Sequence, residues 1–574
     1  MQLSYARQAD RIWILNVGDL KPLEIPINHF LDMAYDTPQW GYDSVPQWLN
    51  LWATREFGPR LAGRVSALVD TYGMYAARRK YELLNPTIYS VINYNEADAI
   101  LAQWDALASE AQSIYDALDA DSQVPFYEMI LQPVLGGQVV TQIYIGAAKN
   151  ILFCQQKRNA ANSVAQLVLD AFKQDNTLTV RYHNLLNGKW NHMLDQTHLG
   201  YGTYWQQPMR NALPPLGWVQ DLETSLAGNI GVGIESSNAT VSGDDTYHPN
   251  SGDTLTLPPM SPYGPKTRYF DIFARGTGAC DWTASPWEDY VIVTPSRGTT
   301  GGNNGTDTRL FVSIDWSKAP AAPNMTTVNI NITSSCSTWG NYPPPMVRVP
   351  VASTAVADSF KGFVESDGTL SIEAEHTSSR SEVGGVSYLT LPNYGRTLSG
   401  VTLVPVLADT QPLGTGPVLE YDVYTFTNVS NANATLYLSP SLNQNGAARP
   451  LKYAIAFDDQ AIQEVQFVAP DVGGSPPVSW NGAVSDAVWG LSSGNSTTTT
   501  HDLTVTGKHT LKIWCIEPGV VIQKIVVNLG GVRASYLGPP ESFRQGVDKV
   551  GSYDGTNTLG IEINPSIANK NFLG

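Results

Sequence analysis

Asn16, Asp19, Lys21 and Glu24 crowd the end of the apolar run Ile12-Trp13-Ile14-Leu15 in the segment RIWILNVGDLKPLE. A carboxylic acid moves protons, an ammonium holds an anion, and a carboxamide hydrogen-bonds hydroxyls. The apolar run reads as a short strand covered on both faces, as in a parallel sheet. Polar groups just past the carboxyl end of such a strand occupy the place where an α/β barrel keeps its chemistry. Asp36, Tyr42 and Asp43, in the polar loop DTPQWGYDS, are expected on the same barrel face. Each leading candidate also has a plainer reading. Asp19 caps the following helix, Glu24 is a first-turn acid favoured by the helix dipole, Asn16 caps the strand end, and Lys21 is a solvated loop lysine.

A second constellation spans Trp190 to Trp205 and holds Trp190, His192, His198, Tyr201, Tyr204 and Trp205. Rings and imidazoles gathered this closely suit a wall around a sugar pocket, or packing between two elements. His192 and His198 are six apart, the wrong spacing for a pair of metal ligands on one helix. The glycines of GYGTYW leave Tyr201 and Trp205 on a loop, free to meet a ligand. Farther on, Glu373 and Glu375 share one face of a strand-like segment, IEAEH. The segment resembles a strand that supplies calcium ligands in some carbohydrate-binding modules, but where those modules place an acid on a late strand, VVIQKIVV brings Gln523 and Lys524, and a lysine opposes a cation. The expectation is therefore no metal. Trp480 and Trp489 are either exposed rings for a polysaccharide or buried core.

The elements that must carry these groups change character near residue 225. Residues 1–58 read as the C-terminal end of a (β/α)8 barrel: the strand, then helices in LEIPINHFLDMAY and SVPQWLNLWATREFG, closed by Gly58-Pro59. The strand has no partner within these residues, so the chain is expected to be the later part of a larger protein. Residues 59–225 show helical spacing in several segments and suit a bundle, with Asn95 as an N-cap and Asp98 three residues beyond. Residues 226–350 hold RYFDIFARG, DYVIVTP, TRLFVSIDW and TVNINIT between turn signals, the pattern of a β-sandwich. Residues 351–540 hold VLEYDVYTF, YAIAFDD, HTLKIWCI and VVIQKIVVN, a second sandwich resembling a carbohydrate-binding module. Residues 541–574 read as a tail. The fold class is thus multidomain α and β, in the order barrel end, helical bundle, two sandwiches.

Composition narrows the partners. A net charge of −17 over 574 residues excludes a phosphate-neutralising surface, so nucleic acid is not a partner. Acidic ligands would be repelled at long range and would need a local cation. Aromatic residues at 10% and charged residues at 15% fit sugar binding or a large secreted β-rich protein equally well. No stretch of about 20 apolar residues occurs, so no membrane span is expected. The opening MQLSYARQAD has no apolar leader core. Of four cysteines, Cys280 and Cys336 fall in one β-rich segment and can pair if the protein is secreted. Seven N-x-S/T sequons begin at Asn238, Asn304, Asn324, Asn331, Asn428, Asn433 and Asn495, all in the β-rich part.

RIWILNVGDLKPLEIPINHFLDMAYD resembles the end of the catalytic barrel in glycoside hydrolase family 115, the xylan α-1,2-glucuronidases. REFG at 55–58, YELLNPTIYSVINYNEAD at 81–98, NGKWNHMLDQTHLGYGTYWQQP at 187–208, DTRLFVSIDW at 307–316 and HTLKIWCIEPGVVIQKIVV at 509–527 follow in the family's order. The resemblance implies inverting removal of glucuronic or 4-O-methylglucuronic acid from glucuronoxylan or its oligosaccharides, without a cofactor. It also implies a barrel preceding these residues and a homodimer, and the sequons add the expectation of a secreted glycoprotein whose leader belongs to that preceding part. Inversion needs an acid and a base roughly 6.5–9.5 Å apart. Asp19 and Glu24, the two acids nearest the strand end, are the candidates for this chemistry, with acid and base left open between them, and Asn16, Lys21, Tyr42, His198 and Tyr201 are the candidates for substrate contact, Lys21 for the uronate carboxylate. The alternatives are a carbohydrate-binding or structural fragment without turnover, and an unrelated helical–β scaffold.

Overall fold

The computed structural model describes residues 1–18, 20–201, 207–226, 228–241, 255–301, 307–321, 325–336, 344–471, 474–491 and 496–551. Its first part is helical: α1 (Gln2–Ala6), α2 (Glu24–Tyr35), α3 (Val45–Phe57), α4 (Ala62–Ala77), α5 (Glu96–Asp116), α6 (Ala120–Phe126), α7 (Gln132–Gln155) and α8 (Ala160–His183). Gly58 ends α3 at φ +80°, a conformation open to glycine. The turn Tyr127–Leu131 between α6 and α7 is π-helical. Helices α7 and α8 form a close hairpin. A Cβ at Gly146 would come 2.6 Å from the Val168 side chain, so only glycine permits that approach. One hydrophobic core holds Met33, Trp48 and Trp52 from the first 58 residues together with Trp104, Phe126, Ile143 and Val168 from the helices that follow. The two stretches therefore form one packed body.

The barrel strand expected at Ile12–Leu15 is not formed. Residues 11–18 are irregular, and Ile12 and Ile14 are 81% and 87% exposed. Apolar content alone does not make a strand, and no strand lies within the first 58 described residues to pair with it. Only Trp13 turns inward, edge-on to Phe30 of α2. The cap at α5 also differs. Asn95 has a left-handed backbone and no capping bond, and Glu96 instead accepts the backbone N–H groups of Ser90, Tyr536 and Leu537.

The first sandwich contains β1 (Ile230–Ile234), β2 (Thr240–Val241), β3 (Arg268–Ala274), β4 (Cys280–Pro286), β5 (Val291–Thr294), β6 (Arg297–Thr300), β7 (Thr308–Ile314), β8 (Thr326–Ser334) and β9 (Met346–Val351). One sheet runs β2-β1-β3-β7-β5 and the other β6-β4-β8-β9. All of their pairings are antiparallel. Cys280 and Cys336 form a disulfide, with Cα atoms 5.4 Å apart.

The second sandwich contains β10 (Gly362–Val364), β11 (Thr369–Glu373), β12 (Ser379–Arg380), β13 (Ser387–Leu391), β14 (Gly400–Val404), β15 (Leu419–Thr425), β16 (Val429–Leu438), β17 (Lys452–Phe457), β18 (Gln463–Gln466), β19 (Thr498–Leu503), β20 (Gly507–Cys515), β21 (Val521–Asn528) and β22 (Arg544–Gln545), with α9 (Trp480–Asp486) between β18 and β19. One sheet runs β18-β17-β20-β15-β10-β22 with β12 beside β15. The other runs β13-β14-β21-β16-β19 with β11 beside β21. Strand β15 alternates buried and half-buried residues, the period-two pattern of a sheet with one dry face. The start of the expected tail belongs to this domain, because β22 pairs with β10 and Phe543 is fully buried. Trp489 is fully buried and Trp480 packs on it, so these rings serve the core. Glu373 is buried and paired with Lys524 at 3.1 Å, so a lysine occupies the place a cation would need.

Charged groups join the helices to the first sandwich. Arg158, just past α7, reaches Asp271 of β3 at 3.1 Å and Asp307 at 3.3 Å. Arg309 of β7 bridges Asp271 and Asp98 of α5, both at 2.9 Å, and Lys149 of α7 also pairs with Asp98. Removing one partner of a buried ion pair strands the other charge at a cost of about 3–5 kcal/mol. Arg158→Met leaves an apolar side chain beside the Phe153 and Phe273 rings, over which the guanidinium lies, while deleting the charge. It is expected to destabilise by about 3–5 kcal/mol, with part of the loss recovered in the double variant carrying Asp307→Asn. Thermal unfolding of both variants checks this, and an unchanged midpoint for Arg158→Met would refute it.

Candidate functional site

The loop before α2 carries Lys21, and the first turn of α2 carries Glu24. Their side chains form an ion pair. Beneath them lies Glu128, brought by the π-helical turn, with a carboxylate oxygen 3.4 Å from the Lys21 ammonium. The other oxygen of Glu128 accepts the hydroxyl of Tyr182, near the end of α8, at 3.1 Å. Lys21 also sits 4.6 Å from the centre of the Trp190 ring. The π turn inserts an extra residue into the helical path, which re-aims its side chains; such turns recur at functional sites.

The cluster is layered. Lys21 and Glu24 keep 25% and 29% of their side-chain surface, whereas Glu128 keeps 1%. Burial, and then the negative charge of Glu24, push the Glu128 carboxyl up to about 7, against the opposing pull of Lys21. Burial depresses the Lys21 ammonium, but its bond to Glu24 and the charges of Glu128 and Glu24 outweigh that and hold it above its ordinary value. Burial and the neighbouring Glu128 carboxylate raise the Tyr182 hydroxyl, so it stays a donor. The arrangement offers a part-exposed cation, paired with a Glu24 carboxylate whose two oxygens are themselves shielded from solvent, over a buried carboxyl that changes charge near neutrality.

The other sequence candidates lie apart from these contacts. Asn16 is exposed on the irregular segment, and Tyr42 is 39% exposed on a loop. Asp19 lies outside the described residues, as do Tyr204 and Trp205. His198 pairs with Asp175 of α8 at 2.8 Å, two helical turns from Tyr182. Burial lowers its imidazole, but the bond to and charge of Asp175 prevail and raise it. The Tyr201 hydroxyl donates to the carbonyl of Thr197 at 3.0 Å. His192 is exposed and pairs with Asp195 at 2.6 Å. Within the Trp190 constellation, Trp190 reaches the Lys21 cluster, while His198 and Tyr201 bond within the helical body. Glu128 and Tyr182 were not singled out from the sequence. The usable signal was a lone carboxylate inside the apolar run of PFYEMIL.

A second concavity lies on the C-terminal sandwich. It is a groove of about 410 Å3 lined by Ser378, Ser379, Glu420, Asp422, Asp458, Asp459, Thr510 and Lys512. Its carboxylates are tied to the sheet: Glu420 accepts Ser379 at 2.7 Å and Asp422 accepts Thr510 at 3.0 Å.

Residues 1–83 match the pattern described as glycosyl hydrolase family 115, and residues 362–541 match the family's C-terminal domain. The chain belongs to glycosyl hydrolase family 115. No curated protein sequence matches it. Among solved structures, a family 115 4-O-methyl-α-glucuronidase with specificity for decorated arabinogalactans aligns at 14% identity and a TM-score of 0.49, over 92% of this chain and 48% of that one. The chain thus spans about half the length of that protein. The C-terminal CBM6 of LamC, a marine laminarinase from Zobellia galactanivorans, aligns at 14% identity and a TM-score of 0.17, over 28% of this chain and 98% of that one. The Podospora anserina GH26-CBM35 β-(1,4)-mannanase aligns at 15% identity and a TM-score of 0.16, over 28% of each chain. In this family 115 chain, Lys21 and Glu24 fall within the first matched segment and Glu128 lies outside both.

The raised Glu128 carboxyl has a measurable consequence. Between its ordinary value of 4.5 and about 7, the folded protein holds a proton that the unfolded chain has released. The unfolded state then binds fewer protons, so stability is full below that window and falls as pH rises through it. The slope is at most about 1.4 kcal/mol per pH unit, reduced by solvent and by Lys21. Glu128→Gln is expected to remove this slope, so its midpoint gains on the parent's from about pH 5 to about pH 8. Parallel denaturation curves across that range would show that Glu128 does not titrate there.

Proposed function

We propose that this chain serves a secreted hydrolase that removes glucuronic or 4-O-methylglucuronic acid side chains from a plant polysaccharide of the glucuronoxylan or arabinogalactan kind. The observation that carries the reading is the part-exposed Lys21 paired with the shielded Glu24 carboxylate within the family-matched segment. A uronate needs a cation, and Lys21 supplies one beside the Trp190 ring. A substrate carboxylate arriving at Lys21 takes the place of Glu24 as counter-ion. Glu24 is then free to accept a proton from the attacking water, as the base of an inverting displacement. The acid that protonates the leaving oxygen stands on the opposite side of the sugar, roughly 6.5–9.5 Å away. Asp19 is the candidate for that role from this chain. Glu128 and Tyr182 hold Lys21 from below and do not touch substrate.

The disulfide supports the secreted part of this reading, because such bonds persist in oxidising compartments. A homodimer follows only from the resemblance and is proposed with it. The groove on the C-terminal sandwich favours a second reading, polysaccharide binding without turnover, since carboxylates and hydroxyls fixed on a sheet face can accept and donate to sugar hydroxyls.

Release of free uronic acid from glucuronoxylan and from arabinogalactan separates the two. The hydrolase reading expects release, a loss of about 10²–10⁴-fold on Glu24→Ala, and for Lys21→Ala a rise in KM exceeding the fall in kcat. Retention on either polysaccharide without release would support binding alone. Release undiminished in Glu24→Ala would remove that residue from the chemistry.

A further inference from the structure

Of the seven sequons, those at Asn238, Asn331, Asn428 and Asn433 start on described residues, and all four asparagines are exposed. Two are set in the middle of strands. Asn331 lies on β8 between Ile330 and Ile332, both fully buried. Asn433 lies on β16 between Ala432 and Ala434, also fully buried. The two-residue period of a strand then turns Asn331 and Thr333 outward together, and likewise Asn433 and Thr435. Thr333 is exposed and Thr435 half-buried, so acceptor amide and sequon hydroxyl share one outer face at each place. The surroundings of Asn433 are small and polar, and Asn331 has one small polar neighbour and one methionine. On its outer face Asn331 is in register with Ser285 on one side and the half-buried Met346 on the other, and Asn433 with Thr500 and Asn528.

We propose that Asn331 and Asn433 carry N-linked glycans. The Nδ2 nitrogen bonds to the anomeric carbon of an oligosaccharide donated by a polyprenyl pyrophosphate. The anomeric C–O bond breaks, the pyrophosphate leaves with the electron pair, and Nδ2 gives one proton to the transferase's base. The fold tolerates the product. At Asn433 the carboxamide oxygen accepts the Thr500 hydroxyl at 3.1 Å, and that oxygen is untouched by substitution on nitrogen. Asn331 lies on the outer face of β6-β4-β8-β9 and Asn433 on that of β13-β14-β21-β16-β19. The groove at Glu420 and Asp422 is on the opposite sheet of the second sandwich, so the glycan at Asn433 leaves it open. A bulky solvated chain beside the edge strand β19 also blocks edge-to-edge pairing.

This inference rests on the secretory route proposed above and not on the hydrolase activity. The test is to direct the full chain through the secretory pathway of a eukaryotic host. Glycans are then released with peptide N-glycosidase in 18O-water, and the peptides and the Cys280–Cys336 bond are mapped by mass spectrometry. The expected result is 18O-labelled aspartate at positions 331 and 433, with loss of one glycan mass in each of Thr333→Ala and Thr435→Ala. Unlabelled asparagine at both positions in protein whose disulfide has formed would overturn the acceptor assignment. Unlabelled asparagine with reduced cysteines would overturn the secretory route, and the assignment with it.

Discussion

The ion-paired junction around Arg158 and Arg309 is the constraint on which the rest of the molecule depends. Taking these charges out of water costs several kcal/mol each, and only a full set of partners repays it. Burial works against Asp98 and Asp271, but the cations beside them, Lys149 and Arg309 at the first and Arg309 and Arg158 at the second, hold both below the usual carboxylate range. Burial dominates at Asp307, with Arg158 opposing it and the nearby Asp271 adding to it, and its carboxyl is pushed up to about 7. The junction fixes the turn of the α7–α8 hairpin against the sandwich. Helix α7 has 24 residues and is about 36 Å long. Glu128 lies just before its start, and α8 returns to bring Tyr182 alongside. The hairpin is thus a rod anchored to the sandwich at one end and carrying the buried part of the candidate site at the other.

The second sandwich is tied to the same helices through a different chemistry. Glu96 at the start of α5 accepts backbone N–H groups from Tyr536 and Leu537, past the last long strand. The Tyr536 hydroxyl lies within hydrogen-bond reach of the carbonyls of Arg78 and Asp486, at 2.6 and 2.7 Å. Tyr536 and Leu537 belong to the helical core. Between the sandwiches, Arg268 joins Glu235 at 2.8 Å and Asp367 at 3.1 Å. Each body therefore completes the polar satisfaction of another, and a buried polar group left unpaired at any of these seams costs about 1–3 kcal/mol.

The sequence made legible whatever depends on local pattern. Leu419–Thr425 alternates as a strand with one dry face must, and that is how it is buried. Cys280 and Cys336 sit in neighbouring strand-like segments and meet. The matched family segments contain the motif that opens the chain. What could not be read depends on partners remote in sequence. Ile12–Leu15 has the composition of a buried strand, but strand formation is decided by a neighbour, and none pairs with it among the described residues. Glu128 reads as one polar position in a helical run. Its meaning comes from Lys21, 107 residues earlier, and Tyr182, 54 residues later. Asn95 has the right residue type for a cap, yet the adjacent Glu96 wins because three backbone donors converge on it. Lys524 was legible as an obstacle to a cation, but not as the buried partner of Glu373.

The charge of the site has to be set against the charge of the chain. A net −17 repels an anionic sugar, but at physiological salt that repulsion is screened beyond about 8 Å. Within that distance the balance is set by Lys21, Glu24 and Glu128. While Glu128 is protonated, Lys21 and Glu24 cancel, and a uronate exchanging for Glu24 meets a neutral cluster. Once Glu128 ionises, above about pH 7, the cluster carries one net negative charge and opposes the same exchange. Tyr182 can donate to Glu128 in either state, so it fixes the position of the carboxyl without fixing its charge. On the hydrolase reading, capture of an acidic sugar is therefore favoured on the acid side of neutrality, although Lys21 stays charged throughout.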